Sequence, residues 1–98
     1  MVLTEMLLKH NSDQRLKTEI ATLNYGLNEI LQLNPVSYYW KKDRNTQDQK
    51  SIGLIAQEVL PLLKELVRTA QDKDQTLSVN YSGLIPVLIK ALQEQFDT

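Results

Sequence analysis

Ser12 and Lys17 stand five positions apart in the stretch NSDQRLK, residues 11–17, and the two residue types together can do chemistry. A serine hydroxyl attacks a carbonyl only once a base has taken its proton, and serine–lysine pairs do this in a variant of the triad logic. The lysine must then be neutral. A free lysine titrates near ~10.4, so poising one at about 7–8 needs a shift of about 3 units, or about 4 kcal/mol. Burial supplies a shift of that kind because removing water disfavours the ammonium, whereas a short solvated peptide cannot. By themselves the two residues read more plainly as a cap or turn serine and a solvated lysine.

The spacing sets a second condition. Five residues of α-helix turn two side chains about 140° apart and separate them by about 7.5 Å along the axis, and five residues of strand put them on opposite faces. Neither regular element joins Ser12 to Lys17. Either the stretch bends, or the lysine of one copy serves the serine of another.

The elements that must position the pair follow from apolar spacing. The first ten residues, MVLTEMLLKH, carry Val2, Leu3, Met6 and Leu7 on a rough helical stripe that cannot bury itself alone. From Leu16 the apolar residues recur at threes and fours to Leu33, ahead of Asn34 and Pro35, and Gly26 interrupts them; the spacing predicts a helix over Asn24 to Leu33 with Asn24 as its cap. PVSYYWKK alternates Val36, Tyr38 and Trp40 as a strand does, and the polar run at 43–50 reads as a solvated connection.

Residues 52–67, IGLIAQEVLPLLKELV, begin as a strand and pass into helical spacing at Val59, Leu62 and Leu63. Pro61 suits a first helical turn or a break between two short helices. Leu66 to Thr69 and Leu77 to Tyr81 flank the turn-like QDKDQ in a hairpin pattern. The last segment starts at a Ser82 cap, tolerates Pro86 in its first turn, and lines up Leu84, Ile85, Leu88, Ile89, Leu92 and Phe96 on a wide apolar face that wants a partner. The predicted fold class is α+β: short helices, a small antiparallel hairpin or sheet, and a long C-terminal helix.

Ninety-eight residues, 42% of them hydrophobic, can bury one small core, so one domain or one protomer of an oligomer is expected. Eleven basic against twelve acidic residues leave a formal charge of −1, which argues against nucleic acid or an anionic membrane as partner. With no cysteine and one histidine, His10, neither a disulfide framework nor a cysteine or histidine metal cluster is available. The longest apolar runs are broken well before about 18 residues, and nothing reads as a signal peptide; the expectation is a soluble chain without an address of its own.

Five segments in order, SDQRLK (12–17), LQLNPVSYYWK (31–41), KSIGLIAQEV (50–59), ELV (65–67) and LSVNYSGLIPVLIKALQEQ (77–95), resemble the intramolecular chaperone auto-processing domain at the C-terminus of phage tailspikes, tail fibres and endosialidases. A similar domain occurs in a membrane-bound eukaryotic myelin transcription factor. Any one segment is weak evidence, but five in sequence, spanning residues 12–95, are specific.

The resemblance implies a homotrimeric module at 12–98, preceded by an upstream arm or stalk end at 1–11. Such a module holds three copies of a β-rich stalk in register and then releases itself by serine–lysine autoproteolysis, with Ser12 as nucleophile and Lys17 as base. Its place is the virion tail, or the cytoplasm during phage-like assembly. Its substrate is its own chain, and it needs no cofactor, metal or small-molecule ligand. The usual proline between the dyad and the first helix is absent, since Ile20 to Leu23 reads IATL.

Attack by Ser12 on the carbonyl of Asn11 passes through a five-membered ring, and attack on its own carbonyl through a four-membered one. Asn11–Ser12 is therefore the favoured scissile bond, with Ser12–Asp13 kept open. Backbone N–H groups are the simplest oxyanion donors. Supporting roles fall to Asp13, as an orienter of Lys17 or, more plainly, a turn carboxylate; to Glu58, as a buried hydrogen bond or subunit contact; and to Asn80, which with Tyr81 fixes the hairpin to the final helix. Trp40, Tyr38 and Tyr39 read as core or interface packing rather than a ligand platform. The alternative function is a trimerisation or attachment module of a tail-fibre-like protein that does not cut; a protease acting on other proteins finds no specificity pocket in the sequence.

Overall fold

Apolar runs of three or four residues, each ended by a proline, a glycine or a polar cluster, give short elements. A computed structural model describes residues 11–41 and 48–97. A 3₁₀ turn at Gln14–Leu16 is followed by irregular chain, then α1 (Leu27–Gln32), β1 (Val36–Tyr38), β2 (Ser51–Gly53), α2 (Ala56–Val59), a 3₁₀ turn at Lys64–Leu66, β3 (Val67–Thr69), β4 (Leu77–Val79), a 3₁₀ turn at Tyr81–Gly83 and α3 (Leu84–Phe96). The α+β class with small antiparallel pairs and a longer last helix agrees with the sequence reading. The stripe in residues 1–10 and residues 43–47 of the polar connection lie outside the described residues.

β1 pairs antiparallel with β2 in the register Val36↔Gly53, Ser37↔Ile52, Tyr38↔Ser51. β3 pairs antiparallel with β4 as Val67↔Val79, Arg68↔Ser78, Thr69↔Leu77, which is the expected hairpin. Its turn is closed by Asp72, whose Oδ1 accepts the Thr76 N–H at 2.9 Å. Pro61 takes the second of its two anticipated places, between α2 and the 3₁₀ turn at Lys64–Leu66.

Two helix starts differ from expectation, both because other groups meet the free amides. α1 opens at Leu27, not Asn24, and its N-terminal residue is capped by carboxylates: Glu29 Oε1 accepts from Gly26 N–H at 2.8 Å and Glu94 Oε1 from Leu27 N–H at 2.7 Å. Ser82 does not cap α3, because Tyr81–Gly83 is already coiled into a 3₁₀ turn ahead of it, with the Asn80 carbonyl accepting the Gly83 N–H at 3.2 Å.

The core is Val59, Leu63, Leu66, Val67 and Val87, with Tyr25, Ile30, Leu54, Val79 and Leu84 among the side chains packed on it. α3 turns Val87 and Ala91 inward, while Ile85, Leu88, Ile89, Leu92 and Phe96 remain 45–82% exposed. Of the apolar face read from the sequence, Leu84 packs on the core and the rest is left uncovered in the single chain, a face still wanting a partner. The radius of gyration, 16.3 Å, exceeds the ~13 Å of a compact domain of this length, in keeping with a thin core and uncovered apolar surface.

Candidate active site

Ser12 and Lys17 meet. Lys17 Nζ donates to Ser12 Oγ at 2.9 Å, within one chain, and the intervening residues bend to allow it. Asp13 is extended (φ −66°, ψ 129°), Gln14–Leu16 make one 3₁₀ turn, and Lys17 is extended again (φ −119°, ψ 152°). A 3₁₀ turn between two extended residues returns the sixth side chain to the first, which neither a helix nor a strand does. Just beyond, Glu19 takes a positive φ of 51°, a conformation uncommon outside glycine, and turns the chain away.

The turn is capped by Asp13, not by Ser12. Asp13 Oδ1 accepts the Arg15 N–H at 2.9 Å, and its two oxygens receive Nε at 3.1 and 3.2 Å and Nη2 at 2.7 Å. The guanidinium and the backbone amide hold the Asp13 carboxyl below the usual carboxylate range, and the carboxylate in turn raises Arg15. Asp13 is thus a turn carboxylate, and among the described residues it makes no hydrogen bond to Lys17 itself. Arg15 was missed in the sequence; an acid followed two places on by an arginine, just after a serine, was the available signal.

Ser12, Lys17 and Asn11 are all exposed in the single chain. The chain supplies the distance between hydroxyl and amine but not the dry surroundings. Glu58 is exposed too, and among the described residues its carboxylate makes no buried hydrogen bond, because α2 turns Val59 to the core and Glu58 to solvent. Asn80 acts through its backbone: its N–H donates to the Leu66 carbonyl at 2.7 Å. Tyr81 ties the two sheets together, its hydroxyl accepting the Leu54 N–H at 3.0 Å. Neither Glu58 nor Asn80 is hydrogen-bonded to Ser12 or Lys17 among the described residues. His10 lies outside them.

The segment carrying the pair is fastened to the body further along, where Tyr25 donates its hydroxyl to Glu65 Oε1 at 2.7 Å and α1 is capped from α3. Tyr38 and Trp40 pack edge to face, ring centres 5.3 Å apart, on a cleft of about 500 Å³ shared with Ile55, Gln57 and Val79. Trp40 and Tyr39 are 43% and 60% exposed, so the core role does not hold for them in the single chain. A second, apolar groove of about 590 Å³ runs between Ile30, Val36, Ile52, Leu84 and Leu88. Neither cavity is lined by Ser12 or Lys17. Among the described residues no cluster of His, Cys, Asp and Glu could hold a metal ion, and no helix is long and apolar enough to cross a membrane.

Residues 12–68 match a peptidase family described as chaperone of endosialidase. Over 87 residues, 85% of the chain, the sequence is 31% identical to the long tail fiber protein Gp37 of Escherichia phage AR1, of which it spans 8%.

Proposed function

The chain belongs to the chaperone-of-endosialidase family, and from that premise we propose that it is an assembly chaperone of a fibre protein: three copies hold an upstream β-rich segment in register, and each then cuts itself free beside Ser12. The contact of Lys17 Nζ with Ser12 Oγ at 2.9 Å carries the cutting half of this reading. The assembly half is supported by the likeness to a long tail fiber protein and by the uncovered stripe Ile85, Leu88, Ile89, Leu92 and Phe96 on α3. Covering each Leu or Ile fully contributes about 1.5–3 kcal/mol.

In the reaction the neutral Lys17 amine removes the Ser12 hydroxyl proton as Oγ bonds to the carbonyl carbon of Asn11, closing a five-membered ring. The Asn11–Ser12 C–N bond then breaks, and its nitrogen takes the proton back from Lys17. This leaves an ester between the Asn11 acyl group and Ser12 Oγ. Water hydrolyses the ester, so the upstream part ends in a carboxylate at Asn11 and the chaperone begins at Ser12. The cycle consumes one water, needs no cofactor, and turns over once. Residues 1–11 are in this reading the end of the stalk and 12–98 the released part. Because both side chains are exposed in the single chain, the drying that frees the amine comes from assembly.

The test is intact mass of the chain behind an N-terminal fusion partner. A fragment starting at Ser12 is expected, with Ser12→Ala and Lys17→Ala both trimeric and uncut. A fragment starting at Asp13 moves the cut to Ser12–Asp13, and efficient cutting by either variant removes that residue from the dyad. The solvent exposure of Ser12 and Lys17 favours a second reading, a non-cleaving trimerisation or attachment module. A trimer that stays at full length with its own upstream stalk restored would establish it.

A further inference from the structure

The turn that joins Ser12 to Lys17 has no packing to hold it. Every residue from 11 to 24 is exposed, Leu16 at 71%, so the apolar burial that stabilises most short helices is missing here. A three-residue 3₁₀ turn has poor hydrogen-bond geometry and a costly nucleus. Its own backbone bonds are two, Leu16 N–H to Asp13 O at 3.0 Å and Lys17 N–H to Gln14 O at 3.1 Å. To these the Asp13 carboxylate adds the Arg15 N–H and a two-toothed grip on the Arg15 guanidinium. One side chain thereby fixes both the backbone and the side chain of the residue at the middle of the turn.

We infer that Asp13 and Arg15 are positioning residues, a clamp that holds the turn closed and so keeps the Lys17 amine against the Ser12 hydroxyl. The inference rests on reading Ser12 and Lys17 as the cutting pair. Neither clamp residue touches the reacting atoms. An exposed ion pair adds little to the stability of a whole protein, but here it acts on the local balance between a closed and an open loop that, among the described residues, is otherwise biased only by two backbone bonds and the Lys17–Ser12 contact. A displacement of about 1 Å between reacting groups can cost about a hundredfold in rate. Lysine at position 15 would keep the charge and lose the fork.

The experiment is the single-turnover rate of self-cleavage against pH, in the full chain behind a fusion partner, with sedimentation to verify assembly. Asp13→Ala and Arg15→Ala are each expected to lower the plateau rate about tenfold, equivalent to about 1.4 kcal/mol, without moving the pH at which the rate reaches half its plateau. The double variant should be no slower than the slower single one, since the two act as one unit. Asp13→Asn, which keeps an oxygen for the Arg15 amide, should recover part of the rate. Single variants within twofold of the parent, or strictly multiplicative losses in the double variant, overturn the clamp. So does a moved pH midpoint at an unchanged plateau, which would mean that these charges tune the amine rather than place it. Should Asp13→Ala fail to assemble, Arg15→Ala, which leaves the cap bond in place, decides the matter. Ser12→Ala runs beside them: its cleavage would sink the dyad itself, a result distinct from failure of the clamp.

Discussion

Lys17 Nζ lies 2.9 Å from Ser12 Oγ although the two residues are five apart and neither is buried. A single 3₁₀ turn between extended residues makes the approach, so the amine can serve the hydroxyl of its own chain. Arginine at position 17 separates a hydrogen-bond donor from a base, because a guanidinium donates but does not lose its proton in proteins. Lys17→Arg is expected to keep the turn and lose the cutting, by about 10²–10⁴-fold, the range of a general base. Mass spectrometry over a time course checks this, and cutting by Lys17→Arg at the parental rate would assign the base elsewhere.

The sequence made the hairpin, the first strand and the break at Pro61 legible because each depends on local rules: alternation, turn residues and proline geometry. It made the Ser12–Lys17 pair legible through motif resemblance, while spacing alone left two routes open. The helix starts were not legible. α1 takes part of its capping from Glu94, 67 residues away from Leu27, and no local window contains that partner. The wide apolar stripe of α3 was legible as a face that wants a partner; the inward positions Val87 and Ala91 were not, because they are smaller side chains off that stripe, and they let α3 approach the core closely.

Tyr25 and Glu65 make a contact that pH can break from both sides. The Tyr25 hydroxyl holds the Glu65 carboxyl below the usual range, and the carboxylate holds the Tyr25 phenol above its own. For Glu65 the lowered folded value means stability that is present above the ordinary ~4.3 and lost as pH falls through the lower value. For Tyr25 the raised folded value means stability that is present below ~10 and lost as pH climbs through the higher value. Denaturant midpoints of the parent and of Tyr25→Phe should therefore differ by a constant amount between about pH 5 and 9 and converge at each end. A difference that persists at pH 2 would show that the phenol acts by packing instead.

Gly26 and Glu94 form one joint. A Cβ at position 26 would collide with the Glu94 carboxylate and press on Lys90 Cγ, 3.1 Å away, so alanine forces Glu94 off the Leu27 amide. Gly26→Ala is expected to destabilise the chain by about 0.5–1.5 kcal/mol, the net worth of the hydrogen bond it breaks. In Glu94→Ala the obstacle and the acceptor are both gone, and adding Gly26→Ala should then cost much less. Thermal unfolding of the two single variants and the double variant gives the coupling; equal effects of Gly26→Ala in both backgrounds would mean that Glu94 is not what the glycine accommodates.

The uncovered stripe on α3 tests assembly apart from folding. Ile89 and Leu92 are 51% and 53% exposed, while Val87 and Ala91 on the opposite side are 3% and 5% exposed. A carboxylate at position 89 or 92 meets water in the single chain and costs it little, but in a trimer closed along this stripe three like charges would be brought together without water. Ile89→Asp and Leu92→Asp are therefore expected to sediment as folded monomers with the parental circular dichroism, and to stop cleaving because the Lys17 amine stays wet. Val87→Asp should instead unfold the chain outright, since it buries a charge in the core. Trimers of Ile89→Asp that cut at the parental rate would place the contact between copies on another surface, the apolar groove between Ile52 and Leu88 being the next to try.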